Sequence, residues 1–321
     1  MNKKILIVAG DPNSVNSEII YKVWKKVSKN IKRNLYLVAN YNLYLKQFKK
    51  LKLNIDIVKV KNINDSINSL SLKIIDVPVN FKDPFKVSLK ESSKYVIKSL
   101  NLAHSLVEDK SFKAVINCPI NKNLIKFSGK IGVTEFFASK CKVKKSSEVM
   151  FIHNKRFSVV PLTTHLDIKD VSKNITSHLI ISKLQTLNKD FKRLFKFIPK
   201  IGVLGLNPHN SEYKITSKEV STIRPSILKL KRKGFKIEGP LVSDTIFINK
   251  YKNYDVIVGM YHDQVLAPFK TIFKFDAINI TLGLNYLRVS PDHGPATELI
   301  GKNKADHTSL FQCIKFVTSK T

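Results

Sequence analysis

Three histidines, His165, His209 and His262, each stand shortly after a short apolar, β-branched run. Neutral imidazole is a common ligand for borderline divalent ions, and three of them leave coordination positions open for substrate oxygens. No helical HExxH spacing links them, so only the fold can bring them together. Lys270 and Arg288 suit a phosphate or carboxylate, because such a group needs charge-assisted donors and the guanidinium offers a planar fork. Asp244 and Asp263 are the acidic residues nearest the candidate ligands; either could orient a metal-bound imidazole or accept a proton, and the sequence does not choose between them. The other histidines, His104, His153, His178 and His307, lack a comparable context and read as structural or exposed.

The elements that must position these residues follow from hydrophobic periodicity. Short β-branched runs alternate with longer amphipathic ones, the pattern of parallel strands joined by helices, so the fold class is α/β. Strands are expected at 5–9, 35–39, 55–60, 114–117, 159–162, 201–206, 256–259 and 277–281, and helices near 17–28, 88–106, 175–187, 218–233 and 308–318. In open α/β sheets ligands gather beyond the carboxyl ends of the strands. Polar clusters sit there: Gly10-Asp11-Pro12, Asn117-Cys118-Pro119, Thr163-Thr164-His165, Asn207-Pro208-His209 and Tyr261-His262-Asp263-Gln264. No internal repeat or low-complexity tract interrupts the pattern, and domain boundaries are poorly marked.

Composition narrows the function classes. The chain has 321 residues, enough for two domains or one large α/β unit. Its formal net charge of +32 invites a nucleic-acid or membrane-surface hypothesis. The lysines, however, are scattered through nearly every segment and form no arginine-rich arm or aromatic-interleaved stripe, so neither nucleic acid nor membrane is the expected partner. A basic field would still attract a phosphorylated anion. Cys118, Cys141 and Cys313 have no CxxC or metal-type spacing, so reduced thiols are expected. The apolar run Ile5–Ala9 ends at Gly10-Asp11-Pro12, too short for a signal peptide, and no stretch approaches the roughly 20 apolar residues that cross a bilayer. A cytoplasmic protein is the expectation.

Several longer segments are more specific. They are Leu206-Asn207-Pro208-His209-Asn210-Ser211-Glu212, Gly239-Pro240-Leu241-Val242-Ser243-Asp244-Thr245, and the stretch from Met260-Tyr261-His262-Asp263-Gln264 through Asn279-Ile280-Thr281-Leu282-Gly283-Leu284 to Arg288 and Ser290-Pro291-Asp292-His293-Gly294. With Gly10-Asp11-Pro12 and Glu18, Asn121-Lys122, Thr134-Glu135-Phe136-Phe137 and Thr163-Thr164-His165-Leu166, these resemble the signature of the 4-hydroxythreonine-4-phosphate dehydrogenase family, in the same order over nearly the whole chain. The resemblance implies an isocitrate/isopropylmalate dehydrogenase-like fold, with two α/β/α domains around a central cleft and no GxGxxG fingerprint. It places a discontinuous first domain at 1–125 plus 295–321, and a second at 126–294 carrying the dimer interface and metal site.

The resemblance further implies that His165, His209 and His262 ligate a divalent ion, zinc first with magnesium, cobalt or manganese as alternatives, in a site shared between two subunits of a homodimer. Thr134, Lys270, Asn279 and Arg288 become substrate contacts. Asp244, Asp263 and Lys270 are the catalytic candidates, and Asp292, His293 and Gly294 form a loop that contacts NAD or NADP. The implied reaction is oxidation of 4-phosphooxy-L-threonine, a small phosphorylated substrate, on the route to pyridoxine 5'-phosphate. Three departures stand out: Val133 replaces the family's usual His before the Thr-Glu pair, Asn13–Ser17 replaces a small, glycine-containing loop, and Asn210-Ser211 replaces Ala-Gly. Val133 removes one polar contact and makes D-threonate or D-erythronate 4-phosphate a rival substrate.

Overall fold

The β-branched runs become strands because both faces of the sheets are covered, and continuous apolar stretches suit strands buried on two sides. The computed structural model describes residues 4–61, 70–126, 129, 132–144 and 147–320. The chain divides into two compact units, Met1–Cys141 with Leu284–Thr321, and Lys142–Gly283. The sequence reading set these edges at 125/126 and 294/295.

The first unit holds β1 (Ile5–Val8), β2 (Leu35–Ala39), β3 (Ile57–Lys59), β4 (Leu72–Asp76) and β5 (Ala114–Asn117). The second holds β6 (Val149–Asn154), β7 (Phe157–Pro161), β8 (Ile201–Leu204), β9 (Ile237–Leu241), β10 (Val256–Gly259) and β11 (Ile278–Leu282). The chain then returns to the first unit for β12 (Leu287–Pro291).

In the first unit the strand order is β3-β4-β2-β1-β5-β12, every pair parallel. The helix Leu89–Glu108 starts where the Ser88 side chain accepts the Glu91 N–H, and buries Tyr95, Val96, Leu100, Ala103 and Val107 on one face at helical spacing. The helix Thr308–Ser319 packs against β12 through its own apolar stripe.

In the second unit the order is β11-β6-β7-β10-β8-β9. β6 runs antiparallel to both its neighbours, and the remaining pairs are parallel. The helix His262–Phe273 lies on β7 and β10 and seats Val265, Leu266 and Phe269 in a core with Phe157, Val159 and Ile257. Phe269 is fully buried, with ring contacts to Phe157 at 6.1 Å and Phe273 at 4.9 Å.

Four strands were not anticipated: β4, β6, β9 and β12. Each breaks the apolar pattern for a reason visible only in the fold. β4 buries Lys73, whose Nζ donates to the Lys32 carbonyl, and β12 buries Arg288. β6 ends in Asn154, whose amide donates to Asp276. β9 contains Gly239-Pro240, and a proline is tolerated because β9 is the last strand of its sheet.

The loop between β1 and the helix Asn16–Lys26 is tightly fixed. Gly10 has φ +77°, and a Cβ there would meet the Pro119 carbonyl oxygen at 2.6 Å, so only glycine fits. The Ser14 hydroxyl donates to the Asp11 carbonyl at 2.6 Å, and the Gln47 amide donates to the Pro12 carbonyl at 2.8 Å. The buried Asp11 carboxylate accepts the Asn13 N–H at 2.8 Å. Burial pushes its pKa up to about 6, against the opposing pull of the Asn13 and Asn121 backbone donors.

Two stability predictions result. Phe269→Ala should cost about 3–5 kcal/mol, read from denaturant melts; a cost near that of a surface substitution would contradict the assigned core. The Asp11 carboxyl binds its proton more tightly folded than unfolded, so its stabilising contribution is full below the unfolded value of 3.8 and is lost as the pH rises through about 6. Asp11→Asn keeps an acceptor for the two N–H groups and removes the charge. Thermal melts of this variant should gain on the wild type at about pH 8 and match it at about pH 4; an equal shift at both would rule out the linkage.

Candidate functional site

Parallel order brings the three expected ligands to one end of one sheet. β7, β10 and β8 are consecutive neighbours, with Pro161 opposite Gly259. The histidines follow these strands at their carboxyl ends, His165 after β7, His262 after β10 and His209 after β8. The exits of β7 and β10 are stitched together: Leu162 N–H donates to the Gly259 carbonyl at 2.8 Å, and both the N–H and the hydroxyl of Thr163 donate to the Met260 carbonyl. The His165 and His262 rings consequently stand 6.2 Å apart at a tilt of 33°.

His209 is held differently. Its Nε2 lies 3.7 Å from Asp244 Oδ2 and its Nδ1 3.4 Å from Glu212 Oε1. Residues His209 to Tyr213 run through five successive left-handed conformations, φ 46° to 56°. Such a turn costs L-residues on the order of 1–2 kcal/mol each, so neighbours must hold it. Asn210, buried within it, donates its amide to the Pro240 carbonyl at 3.1 Å and to the Tyr213 hydroxyl at 3.3 Å. Upstream, the buried Glu219 carboxylate accepts the backbone N–H groups of Leu206 at 2.8 Å and Asn207 at 2.7 Å, and the Asn207 side chain. Glu219 is partly penalised by burial, yet these donors hold its pKa below the ordinary glutamate value. Sequence reasoning missed Glu219, since an isolated acid in a helical run carries no signal of what it will accept.

Of the two acids left open, Asp263 contacts His262, Oδ1 to Nδ1 at 2.7 Å, and Asp244 stands beside His209. Among the described residues, no group of three or more His, Cys, Asp or Glu side chains is gathered to hold a metal ion. The fold pairs His165 with His262 and sets His209 with its own acids. At His262 the carboxylate meets Nδ1, the way an outer neighbour orients an imidazole, whereas His209 has an acid near each of its ring nitrogens.

The expected substrate contacts fall in both units. In the second, Asn279 on β11 is buried and its Oδ1 has no hydrogen-bond partner among the described residues, a costly state for a buried polar atom. Lys270 is exposed on the helix His262–Phe273. In the first unit, Arg288 is 2% exposed. Its Nε donates to Asn117 Oδ1 at 2.7 Å and its Nη1 to Thr134 Oγ1 at 3.3 Å, while its guanidinium carbon lies 5.9 Å from the centre of the Phe137 ring. Burial lowers its pKa to about 10, so it stays charged at neutral pH. Thr134 opens the helix Val133–Lys140, beside Glu135. Asn117, at the end of β5, was not singled out as a contact; its role emerges from β5 and β12 being neighbours. Beyond β12, Asp292 N–H donates to Ser309 Oγ at 2.9 Å and His293 Nδ1 lies 2.9 Å from the Gly294 carbonyl, which ties down the loop expected to meet the cofactor.

The family model described as pyridoxal phosphate biosynthetic protein PdxA matches residues 30–317. A curated relative, the 4-hydroxythreonine-4-phosphate dehydrogenase of Sulfurihydrogenibium sp. (strain YO3AOP1), is 38% identical over 320 residues, 97% of this chain and 96% of its own. The crystal structure of a 4-hydroxythreonine-4-phosphate dehydrogenase from Burkholderia phymatum superposes with a TM-score of 0.79 at 25% identity, covering 99% of this chain and 98% of that one. Isocitrate dehydrogenase from Methylococcus capsulatus, at 11% identity and a TM-score of 0.50, covers 98% of this chain and 85% of its own and shares the fold alone. With a family model spanning most of its length and a relative this similar from end to end, the chain belongs to the PdxA family of pyridoxal phosphate biosynthetic proteins.

Proposed function

We propose that this chain is an NAD(P)-dependent, divalent-metal-dependent dehydrogenase. It oxidises the C3 hydroxyl of 4-phosphooxy-L-threonine to 2-amino-3-oxo-4-phosphooxybutanoate, which loses carbon dioxide to give 3-amino-2-oxopropyl phosphate for pyridoxine 5'-phosphate synthesis. The observation that carries this reading is the end-to-end identity with a relative of that name. The donor chemistry suits a divalent ion: His165 and His262 are neighbouring imidazoles, and His262 and His209 each have a carboxylate beside them. We assign His165, His209 and His262 as the ligands, zinc first, in a site completed between two copies of the chain. Exposed apolar side chains in the segments after two of these histidines, Leu166 and Ile168, and Tyr213 and Ile215, support a face that a second copy covers.

An ion held by His165, His209 and His262 would supply Lewis acidity at the substrate hydroxyl, and a nicotinamide would supply the hydride acceptor. The protein's own part is orientation. Arg288 and Lys270 supply charge-assisted donors for the anionic ends of the substrate, with Thr134 beside the guanidinium and Asn279 offering its unpaired buried amide oxygen. Asp244 or Asp263 takes the hydroxyl proton, Lys270 assists, and the Asp292-His293-Gly294 loop meets the cofactor. Among the described residues no helix is long and apolar enough to cross a membrane, and we place the enzyme in the cytoplasm.

Val133, where the family usually has His, favours one second reading: D-threonate or D-erythronate 4-phosphate as substrate. NADH formation by the purified protein with a divalent ion should appear with 4-phosphooxy-L-threonine; activity confined to the two non-amino acids would transfer the assignment to them. Arg288→Met should lower kcat/KM by roughly ten- to a hundredfold, since a hydrogen bond to a charged group contributes about 1.5–3 kcal/mol. A variant that stays folded with near-normal kcat/KM would remove Arg288 from the substrate cradle.

A further inference from the structure

His104, read from sequence as structural or exposed, hydrogen-bonds a tyrosine that packs beside the Arg288 cradle. Its side chain is largely buried, with Nε2 3.2 Å from Glu108 Oε2, one turn along the helix Leu89–Glu108. Nδ1 lies 2.9 Å from the Tyr286 hydroxyl. Tyr286 in turn hydrogen-bonds Cys141, whose sulfur also receives the Asn285 backbone N–H. In the neutral ring these partners dictate the tautomer: Nε2–H donates to Glu108 and Nδ1 accepts from the Tyr286 hydroxyl. Both nitrogens of the ring have partners, the condition under which a buried polar group rigidifies its surroundings.

The chain joins the two segments that carry the cradle. Cys141 caps the helix Val133–Lys140, whose first turn holds Thr134. Tyr286 stands two residues before Arg288, leading into β12. Between them the Tyr286 ring meets Phe137 edge-on at 6.3 Å, and the Arg288 guanidinium lies over the same Phe137 ring. The Arg288 to Thr134 contact, at 3.3 Å, is therefore bridged on one side by aromatic packing and on the other by the bonds through Cys141.

We propose that His104, through Tyr286 and Cys141, is a positioning residue that fixes the spacing of Thr134 and Arg288 for the phosphorylated substrate. The inference rests on the substrate cradle assigned above and adds residues outside it. His104→Phe keeps a ring against Tyr286 and removes both nitrogens, whereas Tyr286→Phe removes only the hydroxyl. Each should raise KM for 4-phosphooxy-L-threonine by about tenfold, the usual scale of one lost buried hydrogen bond, with kcat within about twofold. Since both break the same chain, the double variant should be no worse than either single one. His104→Asn, whose amide oxygen can accept from Tyr286, should recover most of the lost affinity.

Calorimetric binding of inorganic phosphate, wild type against Tyr286→Phe and His104→Phe, reads the cradle without turnover. Weaker phosphate binding in the variants of a protein that does not oxidise 4-phosphooxy-L-threonine would support the positioning role while the proposed reaction fell. Unchanged KM and phosphate affinity in folded variants would overturn the positioning role, as would additive effects in the double variant or a His104→Asn protein no better than His104→Phe. A wild type that binds no phosphate would overturn it too, because Arg288 would then serve no anion site.

Discussion

A guanidinium buried to 2% exposure imposes strict terms on its surroundings, since a charge taken out of water must be met by hydrogen-bond acceptors. Arg288 finds them in Asn117 and Thr134, and the ring face of Phe137 covers it. The group is drawn from three elements: Asn117 from the end of β5, Thr134 and Phe137 from the helix Val133–Lys140, and Arg288 from β12. β12 can lie beside β5 only because the chain returns to the first unit after building the second. The order of the sheet and the chemistry of its end are thus one constraint: a fixed, buried cation, the kind of group that recognises an anion.

The second unit solves a related problem with backbone. The left-handed turn at His209 to Tyr213 is unfavourable for non-glycine residues, and Asn210 and Glu219 supply the bonds that hold it and the strand exit before it. The conformation carries the His209 side chain toward Asp244, away from a right-handed continuation of β8. Strain of this kind, held by buried polar partners, is characteristic of functional segments, and here it coincides with a residue the family resemblance marks as a ligand. Asn210 and Ser211 adopt it in place of the family's Ala-Gly, so the turn does not depend on glycine.

Buried polar groups recur where the chemistry is expected. Asp11, with its proton affinity raised by burial, lies in the β1 exit loop, and Asn279 keeps a buried oxygen without a partner among the described residues. Both arrangements sacrifice some stability, the pattern expected of sites that bind polar ligands. The Glu108, His104 and Tyr286 chain is the opposite case, with a partner on each nitrogen of its buried imidazole.

Much of this was legible from the residues alone. Alternating β-branched and amphipathic runs determined an α/β fold, and polar clusters after apolar runs marked His165, His209 and His262 before any coordinates, because strand ends are where backbone stops needing apolar cover. The motif order identified the family. What stayed hidden was set by contacts distant in sequence. β4 and β12 break the hydrophobic pattern with Lys73 and Arg288, which are tolerable inside only because Lys32, Asn117 and Thr134 arrive from elsewhere. Periodicity reports which face of an element is apolar; it cannot report which acceptor will meet a buried donor. That pairing, like the nearness of His165 to His262 and the place of His104 behind Tyr286, was decided by the strand order and the return of the chain to its first unit.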